Sequence, residues 1–126
     1  MTEVNKVNTD KAVKPQGHYS QAVVHNGVVY VAMQIGVDPI DGPVKGDISE
    51  QAKVALNNVK EILKEAGSDL SKVLRVTVYV SDISLWEQVN EVYSQFFGEH
   101  KPARGIVPCG KLHLGMDVGL EVTAGL

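Results

Sequence analysis

From Val28 to Met33 the chain reads VVYVAM, six residues without a charge, directly after the pair Asn26-Gly27. Asn-Gly is the preferred pair for a two-residue type I′ turn, so AVVHNGVVYVAMQ reads as a β-hairpin. The second strand is apolar on both parities: Val28, Tyr30 and Ala32 point one way, Val29, Val31 and Met33 the other. A strand of that kind requires cover on both faces. Whatever else the chain forms must supply it.

Two amphipathic helices offer cover for one face. The first is announced by Asp47 and Glu50 at capping-box spacing, carries Ala52, Ala55, Leu56, Val59, Ile62, Leu63 and Ala66 as one apolar stripe, and stops at Gly67. The second is expected to begin near Ser84, with Glu87 three residues on; it turns Trp86, Val89, Tyr93, Phe96 and Phe97 inward and stops at Gly98. Between them LRVTVYVSD alternates, with Leu74, Val76, Val78 and Val80 on one side and Arg75, Thr77 and Tyr79 on the other. MDVGLEVTA is a last strand, with Val118, Leu120 and Val122 on one face. A short edge strand is expected around Asn5–Asn8, and DPIDGPVKGD (38–47) reads as a loop. The order β-β-α-β-α-β-β predicts an α+β fold, a mixed sheet with both helices on one face. Val29, Val31 and Met33 are then expected on the uncovered face, where an apolar patch marks an interface and hence a homo-oligomer.

The 126 residues suffice for a single domain spanning 1–126 with a real core. Net charge is −3 with both signs interspersed, which argues against a broad nucleic-acid footprint. The lone Cys109 permits no intrachain disulfide and fits a reducing compartment. It reads as a small buried residue rather than a nucleophile, since no base is paired with it. The opening residues lack a signal-peptide core, no apolar run is long enough to span a membrane, and the expected location is the cytoplasm. His18, His25, His100 and His113 are scattered without metal-ligand spacing; His18 neighbours Tyr19, and His25 sits at the hairpin turn, where solvent is expected around it. No metal or cofactor motif is present.

The stretch HKPARGIVPCGKLHLG (100–115) holds the candidate functional cation. Arg104 has no charged neighbour until Lys111. Either it makes a structural ion pair, for instance with Glu121, or it waits for a small anion.

GHYSQAV (17–23), MQIGVDP (33–39), QAKVALNNVKEILKEAGSDLSKVLRVTVYVSD (51–82), VNEVYSQFF (89–97), PAR (102–104) and LEVTA (120–124) together resemble the RidA/YjgF family of imine deaminases, over essentially the whole chain. The resemblance implies a chorismate-mutase-like fold, a barrel-shaped homotrimer and clefts between subunits. It implies cofactor-free hydrolysis of small 2-imino or enamine acids to 2-keto acids and ammonia. Arg104 then grips the substrate carboxylate with its two-donor fork, Tyr19 and Asn90 shape the cleft, and backbone groups near MQIG line it.

The chain also departs from that pattern. Gly119 stands where the family has a water-orienting glutamate, Ile106 where it has a cleft cysteine, and Ala32-Met33 where it has Ser-Gly. Met33 and Ile106 suggest an apolar cleft suited to small aliphatic acids. Three functions are therefore weighed: an imine deaminase, a non-catalytic binder of small 2-keto carboxylates, and an endoribonuclease or translation inhibitor. For the last, the sequence offers no paired acid and base and no aromatic, basic strand.

Overall fold

The computed structural model of the chain describes residues 3–44 and 46–126. In chain order its elements are β1 (Asn5–Val7), β2 (Ala22–His25), β3 (Val28–Ile35), a short hairpin of β4 (Val37–Asp38) and β5 (Gly42–Pro43), α1 (Ile48–Ala66), β6 (Val73–Val80), α2 (Trp86–Phe97), β7 (Ala103–Pro108) and β8 (Val118–Gly125). The hairpin lies where Asn-Gly puts it. Asn26 and Gly27 have φ of 50° and 76°, the two positive values a type I′ turn requires.

Six strands form one sheet in the order β1-β2-β3-β8-β6-β7. Neighbours run antiparallel except β6 and β7, which are parallel and joined by the crossover helix α2. Both helices pack on one sheet face. Ala52, Ala55, Leu56, Val59, Ile62 and Leu63 of α1, with Val89, Val92, Tyr93 and Phe97 of α2, share a core with Val76, Val78, Val118, Leu120 and Val122. The mixed α+β architecture with two helices is thus as the periodicity predicted.

Which side of β3 meets the helices is not. Val29 and Val31 are buried in the helix-side core, opposite Ala124 and Val122, while Tyr30 is 48% exposed on the other face. A bulge between Val31 and Gln34 then inserts one residue, so Met33 and Ile35 join Tyr30 on the open face while Gln34 turns inward. The open face carries Tyr30, Met33 and Ile35, not Val29 and Val31. A second irregularity, between Val73 and Arg75, brings Val73 into the core and leaves Leu74 exposed, contrary to the clean alternation expected there.

Other local expectations divide in the same way. Asp47 caps α1, its carboxylate accepting from the Ser49 amide at 2.9 Å, and Gly67 ends the helix at φ 88°. At α2 the cap is displaced. Asp82 accepts from the Ser84 amide in a 3-10 turn over Ile83–Leu85, and the helix proper starts at Trp86. The segment read as a loop folds back as β4 and β5, with Asp38 Oδ2 accepting from the Ile40 and Asp41 amides; Lys45 of that segment lies outside the described residues. Cys109 is exposed, not buried. It follows β7 at the end of the edge strand, where no element covers it. Among the described residues no helix is long and apolar enough to cross a membrane.

Two buried glutamines fasten the ends of the sheet. Gln21 accepts from the Thr9 amide at 2.7 Å and donates to the Thr9 and Val13 carbonyls at 3.1 and 2.8 Å, which pins residues 9–13. Gln51 accepts from the Asp117 amide at 2.8 Å, tying α1 to the start of β8. Pairing of this kind lowers the cost of burying an amide.

Candidate functional site

Arg104 is the second residue of β7, opposite Val76 of β6. Partners in register share a sheet face, and Val76 is fully buried against the helices, so Arg104 points toward α2. On α2, Trp86, Asn90 and Tyr93 are spaced i, i+4 and i+7, one stripe of the helix. All three meet the arginine. Its Cζ lies 4.4 Å from the Trp86 ring centroid and 4.9 Å from that of Tyr93, and Nη1 donates to Asn90 Oδ1 at 2.9 Å.

No carboxylate pairs with Arg104 among the described residues. Glu121 is turned elsewhere: Oε1 accepts the Tyr79 hydroxyl at 2.7 Å on the open face, and that bond raises the tyrosine's pKa. The ion pair with Glu121 considered for Arg104 does not form. Burial pushes the Tyr93 phenol up, and the Arg104 charge opposes the shift. A cavity of about 340 Å³ opens beside the guanidinium, lined by Asn90, Tyr93, Ser94, His100 and Lys101 among others, with no acid in its wall.

Tyr19 and Met33 stand at a different cavity, of about 390 Å³, together with Lys14, Gln34, Ile35 and His113. Tyr19 is half exposed, and its hydroxyl accepts the Gln16 amide at 3.2 Å. His113 Nε2 hydrogen-bonds Gln16 Oε1 at 3.1 Å. Lys14 drew no notice in the sequence and His113 only as one of four scattered histidines, because lone polar residues in irregular segments carry no periodic signal. His18 is exposed and lines neither cavity. His25 is half-buried rather than solvated, its Nδ1 3.1 Å from the Glu3 carbonyl.

Gly119 meets Met33 directly. A Cβ on the glycine would fall 2.9 Å from Met33 Sδ and 3.2 Å from Leu112 Cδ1, so the thioether fills the space a side chain at 119 would occupy. Ile106 lies two residues beyond Arg104 on the same strand face and packs against the core. It lines neither cavity.

The structure therefore brings Arg104 to Asn90, and Met33 to both Tyr19's cavity and Gly119, without joining the two groups in one chain. Their cavities share no lining residue, and three strand spacings, ~14 Å, separate β7 from β3. Trp86 and Tyr93 are the residues that sequence reasoning placed only in the core. The i, i+4, i+7 spacing of two aromatics around Asn90 was the available signal. Among the described residues no group of three or more His, Cys, Asp or Glu is placed to hold a metal ion.

Residues 9–126 match the family model described as Endoribonuclease L-PSP. Among curated relatives, a RutC family protein of Pyrococcus abyssi is 47% identical over 117 residues, covering 92% of each chain. The human 2-iminobutanoate/2-iminopropanoate deaminase is 41% identical over 119 residues, covering 94% of this chain and 87% of that one. Among solved structures, E. coli TdcF with bound serine superposes at a TM-score of 0.92 with 32% identity, covering 97% of this chain and 98% of that one.

Proposed function

Because the chain belongs to the RidA/YjgF family, the group described as endoribonuclease L-PSP, we propose that it hydrolyses small 2-imino or enamine acids to 2-keto acids and ammonia without a cofactor. One observation carries the reading. Arg104 presents a guanidinium that no acid among the described residues neutralises, held by an amide and two rings beside an acid-free cavity. A planar fork of N–H donors suits a carboxylate. The deaminase name of the human relative supports the chemistry, and the serine bound to TdcF supports the binding of a small carboxylate.

The reaction asks little of the protein beyond placement. Arg104 clasps the carboxylate, and Tyr19, Asn90, Met33 and Gly119 bound the site, while Ile106 backs the Arg104 strand from the core. Water adds its oxygen to the carbon of the protonated imine while the C=N pair withdraws to nitrogen. One proton of that water passes to the nitrogen; the remaining hydroxyl then gives up its proton to the departing ammonia as the C–N bond breaks, leaving the 2-keto acid and ammonium. Gly119 offers no acid to steer that water, so backbone carbonyls near the end of β3 hold it. Glu121 lies ~7 Å along the strand from Gly119 and is engaged by Tyr79.

The site is completed between chains. Arg104 with Asn90 and Tyr19 with Met33 occupy separate places on one copy, and the open face of Tyr30, Met33 and Ile35 wants cover. A homotrimer with intersubunit clefts answers both. Each chain contributes one domain, residues 1–126, and the protein works in the cytoplasm.

The test adds purified protein to a threonine dehydratase reaction and follows 2-ketobutyrate release where free 2-iminobutanoate decays slowly. Wild type should accelerate release and Arg104→Ala should not. Equal inactivity of the two would end the deaminase reading.

A second reading is favoured by Met33 filling the space beside Gly119: a module that binds small 2-keto acids and has lost the chemistry. Saturable binding of 2-ketobutyrate by calorimetry, without hydrolysis, would support it. An endoribonuclease needs an acid and a base side by side, whereas His25, His100 and His113 hydrogen-bond to three different segments.

A further inference from the structure

We propose that Trp86 and Tyr93 are positioning residues for the carboxylate grip: their rings hold the Arg104 guanidinium in place without neutralising it, with its donors available to a ligand. The inference rests on the carboxylate-binding role proposed for Arg104. It adds residues that touch the arginine rather than the ligand.

An exposed arginine on an edge strand is free to swing in solvent, and binding a ligand would then require ordering it. A carboxylate neighbour would hold it still, but would also cancel the charge and occupy the fork. Aromatic rings avoid that conflict, because a ring face attracts a cation without accepting its hydrogen bonds as a carboxylate does. Trp86 at 4.4 Å and Tyr93 at 4.9 Å both lie within cation–π range of Cζ. Asn90 takes one Nη1 donor through its neutral oxygen. What remains of the donor set faces no acid among the described residues.

The local fold makes this arrangement rigid. Trp86, Asn90 and Tyr93 stand on one stripe of α2, Tyr93 is anchored in the core, and its ring packs at a 40° tilt against Phe97, centroids 4.7 Å apart. The parallel pairing of β6 and β7 fixes Arg104 over that stripe. Trp86 is also the single tryptophan of the chain, so its emission reports on the guanidinium directly.

The experiment combines kinetics on 2-iminobutanoate with fluorescence titration by 2-ketobutyrate. In wild type the keto acid should change Trp86 emission saturably, and Arg104→Ala should abolish the change. Trp86→Leu should raise KM, and the Kd of the keto acid by calorimetry, about 3- to 20-fold with kcat within about 2-fold, and Trp86→Phe should restore most of the loss. A merely structural tryptophan would lower the melting temperature without that split. If Trp86→Leu does not fold, Trp86→Met and the wild-type titration decide. Unchanged KM and Kd in a folded Trp86→Leu or Trp86→Met, or keto-acid binding that leaves Trp86 emission unaltered, would overturn the proposal while leaving the deaminase reading standing. Wild type that neither binds nor turns over would remove both. Wild type that binds without hydrolysis removes the deaminase reading alone, and the Kd comparison then decides for or against the cradle.

Discussion

Met33 and Gly119 share one volume: a Cβ on Gly119 would lie 2.9 Å from Met33 Sδ and 3.1 Å from its Cγ. A side chain at 33 and its absence at 119 are therefore a single steric fact. Gly119→Ala should destabilise by about 1–2 kcal/mol through overpacking, and Met33→Ala in the same chain should recover most of it. Urea unfolding of the two single variants and the double variant measures the coupling. Under the binder reading, Gly119→Glu gains deaminase activity only when Met33 is also trimmed.

Gly36 presents a harder limit. A Cβ there would meet the Gln51 Cα at 2.8 Å, and helix backbone cannot step aside as a thioether can. Gly36→Ala should cost about 2–3 kcal/mol, more than Gly119→Ala, as read by denaturant midpoint at unchanged slope.

Asp117 governs acid stability at the start of β8. The Lys111 ammonium at 2.7 Å, the Ser81 hydroxyl at 2.6 Å and Gln51 hold its carboxyl below the ordinary value. A depressed folded pKa means the contribution is complete above the unfolded value, about 3.9, and is lost as pH falls through the lower folded one. Asp117→Asn should destabilise by about 1–2 kcal/mol at pH 7 and flatten the acid limb of a stability–pH curve. An unchanged acid limb would count against this assignment.

The Tyr93 hydroxyl, in a residue only 5% exposed, has no partner at full hydrogen-bond geometry, although the Arg104 guanidinium lies close enough to oppose the rise in its pKa. Tyr93→Phe keeps the ring beneath Arg104 and removes the unmet polar group. Thermal unfolding should find it neutral or more stable by up to about 1 kcal/mol. A loss instead would reveal a hydrogen bond to that hydroxyl.

The proposed homotrimer predicts a mass of three chains in light scattering at micromolar concentration. Tyr30, 48% exposed on the open face, is the place to probe it. Tyr30→Lys should lower the mass while leaving the circular dichroism of the fold intact.

Much of the fold was legible because its signals are local. Asn26-Gly27 specifies a turn by backbone preference, Asp47 and Gly67 bracket α1, and the apolar stripe of α1 needs only its own residues to be recognised. The cap of α2 was misplaced because Ser84 and Asp82 both offer a side-chain oxygen, and only the 3-10 turn decides between them. At the site, Arg104 stood out by the uncharged run that follows it as far as Lys111, and Asn90 does meet it.

The amino-acid order by itself determined the hairpin, the two helices and the isolated cation, since period and turn chemistry are properties of neighbours in the chain. Tertiary structure alone decided which face of β3 meets the helices. Both parities are apolar, and the choice fell to pairing with β8, Val29 against Ala124 and Val31 against Val122, ninety residues or more away. It likewise decided that aromatic rings of α2, rather than Glu121, hold Arg104. Strand register and bulges arise between distant segments, and no local pattern encodes them.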